Sequence, residues 1–238
     1  FLCPMVKANA YSHGDVAVVR HLSGLGCSTF GVGLVEEGLR LRENGLHKEN
    51  ILVFGFYGAE AVQEMIRHQL VPVVSDFEQL HILTTELQKA NKGHYPIHIK
   101  INTGMNRLGF TPQVLDQLSL EIKNDSWVKV VGVGTHLMTS EDLSSVDGMS
   151  AHQLACFEQS LVRWPFKNLA VHAYNTSGAL YAQRNASATL KYPYGLRIGL
   201  GMYGCASIPL DQGQTLYPSM SFLSKVVSLQ KVKKNEVV

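Results

Sequence analysis

Nowhere in its 238 residues does the sequence carry an apolar run near the roughly 18–20 residues of a membrane span. The N-terminus shows no charged stretch followed by an apolar one, so no secretion signal is read there. Cysteine is scarce: Cys3, Cys27, Cys156 and Cys205 stand far apart, with no C-x-x-C pair. That excludes a disulfide scaffold at this length and leaves a zinc site without a ligand cluster; metal is not expected. The four read as small buried or half-buried residues in a reducing, cytoplasmic setting. The ten histidines are scattered too, without an H-E-x-x-H pattern. Charge of one sign is also missing. Lys plus Arg 21 against Asp plus Glu 19 leaves +2, spread rather than clustered, which argues against nucleic acid or an acidic membrane surface as partner. Gly 21 and Pro 8 are too few for a collagen-like or low-complexity chain.

What is present suits a packed core: 45% hydrophobic residues against 17% charged. The length fits one large domain or two small ones. Short apolar runs rich in branched residues alternate with stretches of helical period. The runs predict strands at Leu2–Val6, Thr29–Gly33, Ile51–Gly55, Val71–Ser75, Ile97–Ile101, Val130–Thr135, Leu169–Ala173 and Tyr194–Ile198. Helices are predicted at Val16–Leu25, Ala59–Gln69, Phe77–Asn91, Pro112–Asn124 and Met149–Trp164, where apolar residues recur at i, i+3 and i+4. Asp76 and Thr111 are expected N-caps, and Pro112 falls where a first helical turn tolerates it. Alternation of strand and helix implies right-handed βαβ units and a parallel sheet, and eight strands close a (β/α)8 barrel of the TIM type. After Pro218 the texture changes. Met220–Leu229 and Val232–Val238 carry β-branched runs with no helix between them. The division expected is a barrel over 1–217 and the start of a C-terminal β-domain over 218–238, with both chain ends falling inside strand-like runs.

In such a barrel the active site lies at the C-terminal ends of the strands. The residues just after each predicted strand therefore test for chemistry independently of any motif. Val6-Lys7-Ala8-Asn9-Ala10-Tyr11-Ser12-His13-Gly14 follows the first strand, and Asn102-Thr103-Gly104-Met105-Asn106-Arg107-Leu108-Gly109-Phe110 follows the fifth. Thr135-His136 ends the sixth, Tyr174-Asn175-Thr176-Ser177-Gly178 follows the seventh, and Arg197-Ile198-Gly199-Leu200-Gly201 ends the eighth. Two arginines, a lysine, a histidine, an amide and two hydroxyls would converge on one mouth, which points to an anionic ligand. A lysine ending an apolar strand is expected to bury its stem, and desolvation would lower its pKa toward a Schiff-base-forming amine. The competing reading is a lysine snorkelling at the rim. Asn175-Thr176-Ser177-Gly178 and Gly199-Leu200-Gly201 offer backbone N–H groups to a phosphate. Gly31-Val32-Gly33 is assigned to packing. His136 alone reads equally as a core histidine, and His13, His21, His47, His68, His81, His94, His98 and His152 as surface or packing residues.

Taken together, the Lys7 and Arg107 segments resemble the two hallmarks of the alanine racemases, a pyridoxal-phosphate-dependent family. Thr135-His136, His172-Ala173-Tyr174-Asn175-Thr176-Ser177 and Leu196-Arg197-Ile198-Gly199-Leu200-Gly201-Met202-Tyr203-Gly204 follow in the family's order and spacing. The resemblance implies that Lys7 holds pyridoxal 5'-phosphate through an imine and serves as one catalytic base. It implies that Tyr11, Thr176, Gly199 and Leu200 bind the cofactor phosphate, with Asn175 and Ser177 beside it. Arg197 would face the pyridine nitrogen, and His136 would lie near the ring and orient that arginine. Arg107 would contact the cofactor's phenolic oxygen and the substrate carboxylate, and Lys100 matches a position carbamylated in some members. Ser12 stands where the family usually has Gly, Asn102 where Asp is common, and Thr176 where Ser is usual. A positive φ at Ser12 would cost about 1 kcal/mol.

The implied activity is interconversion of L- and D-alanine, supplying D-alanine for the cell wall, by a cytoplasmic homodimer. Racemisation removes the Cα proton from one face and returns it to the other, so acid–base groups are needed on both. The resemblance implies that the second is a tyrosine on the partner subunit's C-terminal β-domain, beyond Val238. Arginine keeps its proton, so Arg197 would leave the ring nitrogen unprotonated and weaken the electron sink. Three alternatives stay open here: a broad-specificity amino-acid racemase on the same scaffold, a non-catalytic pyridoxal-phosphate-binding barrel, and a plain structural barrel with an inert Lys7.

Overall fold

A computed structural model describes the chain except residues 141, 142, 144, 146, 185–193, 212 and 236–238. Seven parallel strands pair in sequence order: β1 (Thr29–Val32), β2 (Asn50–Val53), β3 (Val71–Val74), β4 (Tyr95–Lys100), β5 (Val128–Gly134), β6 (Ala170–Tyr174) and β7 (Gly195–Leu196). The eighth stave is the expected first strand. Leu2 bridges Leu196 and Met5 bridges Gly31, both in parallel. On one side Cys3 and Met5 donate their N–H groups to the Leu196 and Ile198 carbonyls; on the other Gly31 donates to Pro4 and Val6 to Gly31, all at 2.8–2.9 Å. Pro4 has no N–H to give, so this stave closes the ring through isolated bridges rather than a regular ladder.

The helices lie between consecutive strands: α2 (Asp15–Gly24), α3 (Val35–Glu43), α4 (Ala59–Arg67), α5 (Phe77–Lys89), α6 (Leu115–Lys123), α7 (Met149–Arg163) and α8 (Thr176–Arg184). Asp76 caps α5 as expected, accepting the Gln79 N–H at 2.8 Å. Thr111 makes no side-chain cap; a 3-10 turn, Pro112–Val114, opens that segment with Pro112 at its start. The expected helices over 59–69 and 77–91 stop two residues early, and Gln69 and Asn91 have φ of 52° and 50°, which ends the spiral. Helix α3 was not expected. Gly38 interrupts its pattern, and the reason for that glycine is tertiary: a Cβ there would sit 2.8 Å from Leu70 Cδ1.

Alternation along the strands sorts the core into two layers. Ile51, Val53, Val74, Ile97 and Ile99 pack outward with the helices. Cys3, Leu52, Val71 and Val73 face inward, with Met5 and Phe54 against them. Two imidazoles, His98 and His172, are buried as well. They fit because the neighbouring strand carries Gly132 and Gly134, where a Cβ would collide with the His98 and His172 rings. His98, which the sequence alone reads as a surface or packing residue, is buried and hydrogen-bonded to His172.

Beyond Cys205 the described residues form no helix or strand, and Tyr217, Phe222, Leu223, Val226, Val227 and Leu229 are exposed. The end of the predicted 232–238 run lies outside the described residues. Among the described residues, no helix is long and apolar enough to cross a membrane.

Candidate active site

One cavity of about 420 Å³ opens at the C-terminal ends of the strands. Lys7, Tyr11, Lys100, Arg107, His136, Asn175, Thr176, Ser177, Arg197, Gly199 and Leu200, all singled out above, line it. So do Met5, Phe54, Leu108, Thr135, His172 and Ser207. Of these, Met5, Phe54 and Ser207 carry no signal in the sequence that would have found them. Among the described residues, none of those lining the cavity carries a carboxylate. The four cations among them favour an anionic guest.

Arg197 is the buried centre of the wall. Its Nη1 donates to His172 Nδ1 at 2.6 Å, and its Nη2 reaches the Thr135 carbonyl at 2.6 Å, the Ala173 carbonyl at 3.2 Å and His136 Nδ1 at 3.2 Å. A guanidinium has no lone pair to offer, so each histidine accepts through Nδ1 and keeps its proton on Nε2. His172 Nε2 lies 2.9 Å from His98 Nδ1, which fixes the next tautomer in the same sense. Burial, with the Arg197 charge adding to it, lowers His98 to about 4 and His136 to about 3, and pushes His172 well below the usual imidazole range. Two neutral rings, His172 and His136, thus hold one cation, and His98 backs His172. Burial brings Arg197 itself down to about 10, still protonated at neutral pH.

Lys100 is buried, and its amine is lowered to about 8 by burial and then by Arg107, Arg197 and Lys7. Of the two readings of Lys7, the rim position fits: it is exposed at the cavity wall rather than buried, with its Nζ 5.8 Å from the Tyr11 ring centre. Its backbone is unusual instead. Lys7–Ser12 is a single turn, α1, in which Ala8, Asn9, Ala10 and Tyr11 have φ of 50–54°. Ser12, flagged for its missing glycine, has φ of 70°. A left-handed turn of non-glycine residues costs about 1–2 kcal/mol per residue, so the surroundings must impose it.

Arg107 is exposed on the loop that leaves β4 and returns to it, where Phe110 N–H donates to the Lys100 carbonyl at 2.9 Å. Asn102 organises this loop. Its Oδ1 accepts the Gly104 and Asn106 N–H groups at 3.1 and 3.0 Å, and its Nδ2 donates to Asn106 Oδ1 at 3.0 Å. That last bond needs an amide, so Asn102 does what an aspartate would not.

Opposite, helix α8 starts at Thr176, whose Oγ1 accepts the Gly201 N–H at 3.0 Å and so ties two loops together. At Gly199 a Cβ would collide with Tyr11 Oη. The phenol therefore reaches the Gly199 backbone only because no side chain stands there. Hydroxyls of Tyr11 and Thr176, the first turn of a nine-residue helix and the Gly199-Leu200 backbone surround one end of the cavity, as a phosphate requires. These residues fit a phosphorylated cofactor. Gly31, assigned to packing, does meet Met5 there, but Gly33 differs: it lines the cavity, and a Cβ on it would lie 3.7 Å from Lys7 Cβ.

Comparison with known proteins agrees with this geometry. The alanine racemase of Sorangium cellulosum is 29% identical over 243 residues, covering 98% of this chain and 60% of that protein. The solved alanine racemase of Clostridium difficile 630 superposes with a TM-score of 0.80 at 22% identity, covering 91% of this chain and 56% of that one, a likeness of fold. The alanine racemase from Bartonella henselae, solved with covalently bound pyridoxal phosphate, superposes with a TM-score of 0.73 at 26% identity, covering 85% of this chain and 56% of that one. The chain thus spans about 60% of the length of the curated relatives it matches. The family described as "Alanine racemase, N-terminal domain" matches residues 1–207, and this chain, with its lysine turn, barrel and cationic mouth, belongs to it.

Proposed function

We propose that this chain is the cofactor-binding barrel of an enzyme that interconverts L- and D-alanine. The observation that carries the reading is the cavity itself: Lys7, Arg107, Arg197 and a phosphate-sized cradle on one wall system, with no carboxylate among the described residues that line it. Pyridoxal 5'-phosphate, when bound, supplies the electron withdrawal that makes the Cα proton of an amino acid removable. Lys7 would hold it covalently and carry a proton to and from one face of Cα. Tyr11, Asn175, Thr176, Ser177, Gly199 and Leu200 would bind its phosphate. Arg197, protonated and supported by His172 and His136, would donate a hydrogen bond to the ring nitrogen without surrendering its proton. Arg107 would bind the substrate carboxylate. Lys100, whose amine burial and neighbouring cations bring close to neutrality, would add carbon dioxide to form a carbamate with loss of one proton. The resulting negative charge would face Arg107.

The opposite face of Cα needs a second proton carrier. Tyr11 is committed to the phosphate, so that carrier would come from the partner subunit of a homodimer. The exposed residues after 217 would be the start of the β-domain that supplies it. The enzyme would work in the cytoplasm, providing D-alanine for cell-wall synthesis. A coupled D-alanine assay tests the reading on residues 1–238 alone and on a chain of the relatives' full length that contains them. The longer chain is expected to racemise alanine and the shorter to bind cofactor with little turnover. Absence of turnover in the longer, cofactor-saturated chain would overturn it.

A further inference from the structure

The turn that carries Lys7 is held from outside. Ala8–Ser12 lie in the left-handed region, and the bonds within the turn, such as Ala10 N–H to the Val6 carbonyl at 2.8 Å, do not by themselves favour that hand. Helix α3 reaches over from the neighbouring βα unit. Glu37 Oε1 accepts the Ala8 N–H at 2.6 Å, while Oε2 accepts the Gly33 and Leu34 N–H groups at 2.7 and 3.1 Å. One carboxylate therefore joins the end of β1, the start of α3 and the residue after Lys7. One turn along the same helix face, Arg40 donates to Asn9 Oδ1 at 2.9 Å and lies 3.1 Å from buried Asp15. Gly33 completes the contact: a Cβ on it would lie 3.4 Å from Glu37 Oε2 and 3.7 Å from Lys7 Cβ, so the lysine stem and the carboxylate share this glycine.

We infer that Glu37 is a positioning residue for Lys7, fixing the left-handed turn so that the amine is presented at the cavity wall. This rests on the reading of Lys7 as the cofactor lysine. Helix capping alone explains only the Leu34 bond. The bond to Ala8, 29 residues away in sequence, serves the turn. Because Ala8 directly follows Lys7, releasing its N–H lets the backbone relax toward the right-handed region and swings the lysine away from the cavity.

Glu37→Gln separates the two roles. Its remaining oxygen keeps the Gly33 and Leu34 bonds, and its amide faces the Ala8 N–H, donor against donor. Amide hydrogen exchange on the 238-residue chain is expected to speed up at least tenfold at Ala8–Ser12, with α3, β1 and the melting temperature little changed. Loading with pyridoxal 5'-phosphate, followed by borohydride trapping at Lys7, should slow by a similar factor. Glu37→Ala should do the same with an added loss of α3 stability; if it fails to fold, Glu37→Gln still decides. Unchanged exchange at Ala8–Ser12 in the glutamine variant, or a rise spread evenly over the barrel, would overturn the inference. Absence of trapping in the wild-type chain would instead count against the cofactor reading, while the exchange data would still decide whether Glu37 holds the turn.

Discussion

Arg197 Nη1 donates to His172 Nδ1 at 2.6 Å inside the barrel, and that bond sets the proton positions of every ring behind it. The cation stays because its neighbours are neutral acceptors. Replacing Arg197 with Glu would put a carboxylate where a fixed donor stands, favouring a protonated cofactor ring and a longer-lived carbanion. In the complete, loaded enzyme we expect slower racemisation and a new visible absorbance on adding substrate. Unchanged turnover with no new band would remove Arg197 from this role.

The buried imidazoles also predict how stability depends on pH. Each is neutral in the fold and has a lowered pKa, so as pH falls below about 6.5 the unfolded chain takes up protons first, and stability is lost toward pH 4. His98, brought from 6.5 to about 4, accounts for about 3 kcal/mol of that loss. Denaturant midpoints measured between pH 6.5 and 4.5 should fall steadily. Glu49 and Glu86 have lowered carboxyl pKa values and contribute below that window. A flat profile above pH 4.5 would mean that the rings are not held neutral by burial.

Gly199→Ala tests the phosphate end. The new methyl must displace the Tyr11 hydroxyl, so affinity for pyridoxal 5'-phosphate should fall tenfold or more. Gly24→Ala, which meets open space in helix α2, serves as the control and should leave affinity unchanged. Equal affinity in both variants would place the phosphate elsewhere.

The barrel was legible in the sequence because its strands are short branched runs whose ends carry the polar residues. Lys7, Arg107, His136 and Arg197 each stand at or just after the end of a predicted strand, and all four line the cavity. What escaped is what depends on partners distant in sequence. Gly38 hid helix α3, and its cause is Leu70. His98 read as packing because its partner, His172, is 74 residues away. Phe54 looked like an ordinary apolar residue, yet its ring centre lies 6.0 Å from the Arg197 guanidinium. The left-handed turn that presents Lys7 at the cavity wall leaves no mark in Ala-Asn-Ala beyond the non-glycine residue at Ser12.

Two lysines line the cavity, exposed Lys7 and buried Lys100, and the covalent bond is proposed for Lys7. Borohydride reduction of the chain loaded with pyridoxal 5'-phosphate, followed by peptide mass mapping, decides between them. We predict one modified peptide, carrying the group on Lys7, and none after Lys7→Ala. A group found on Lys100, or one specific adduct persisting in Lys7→Ala, would contradict the account.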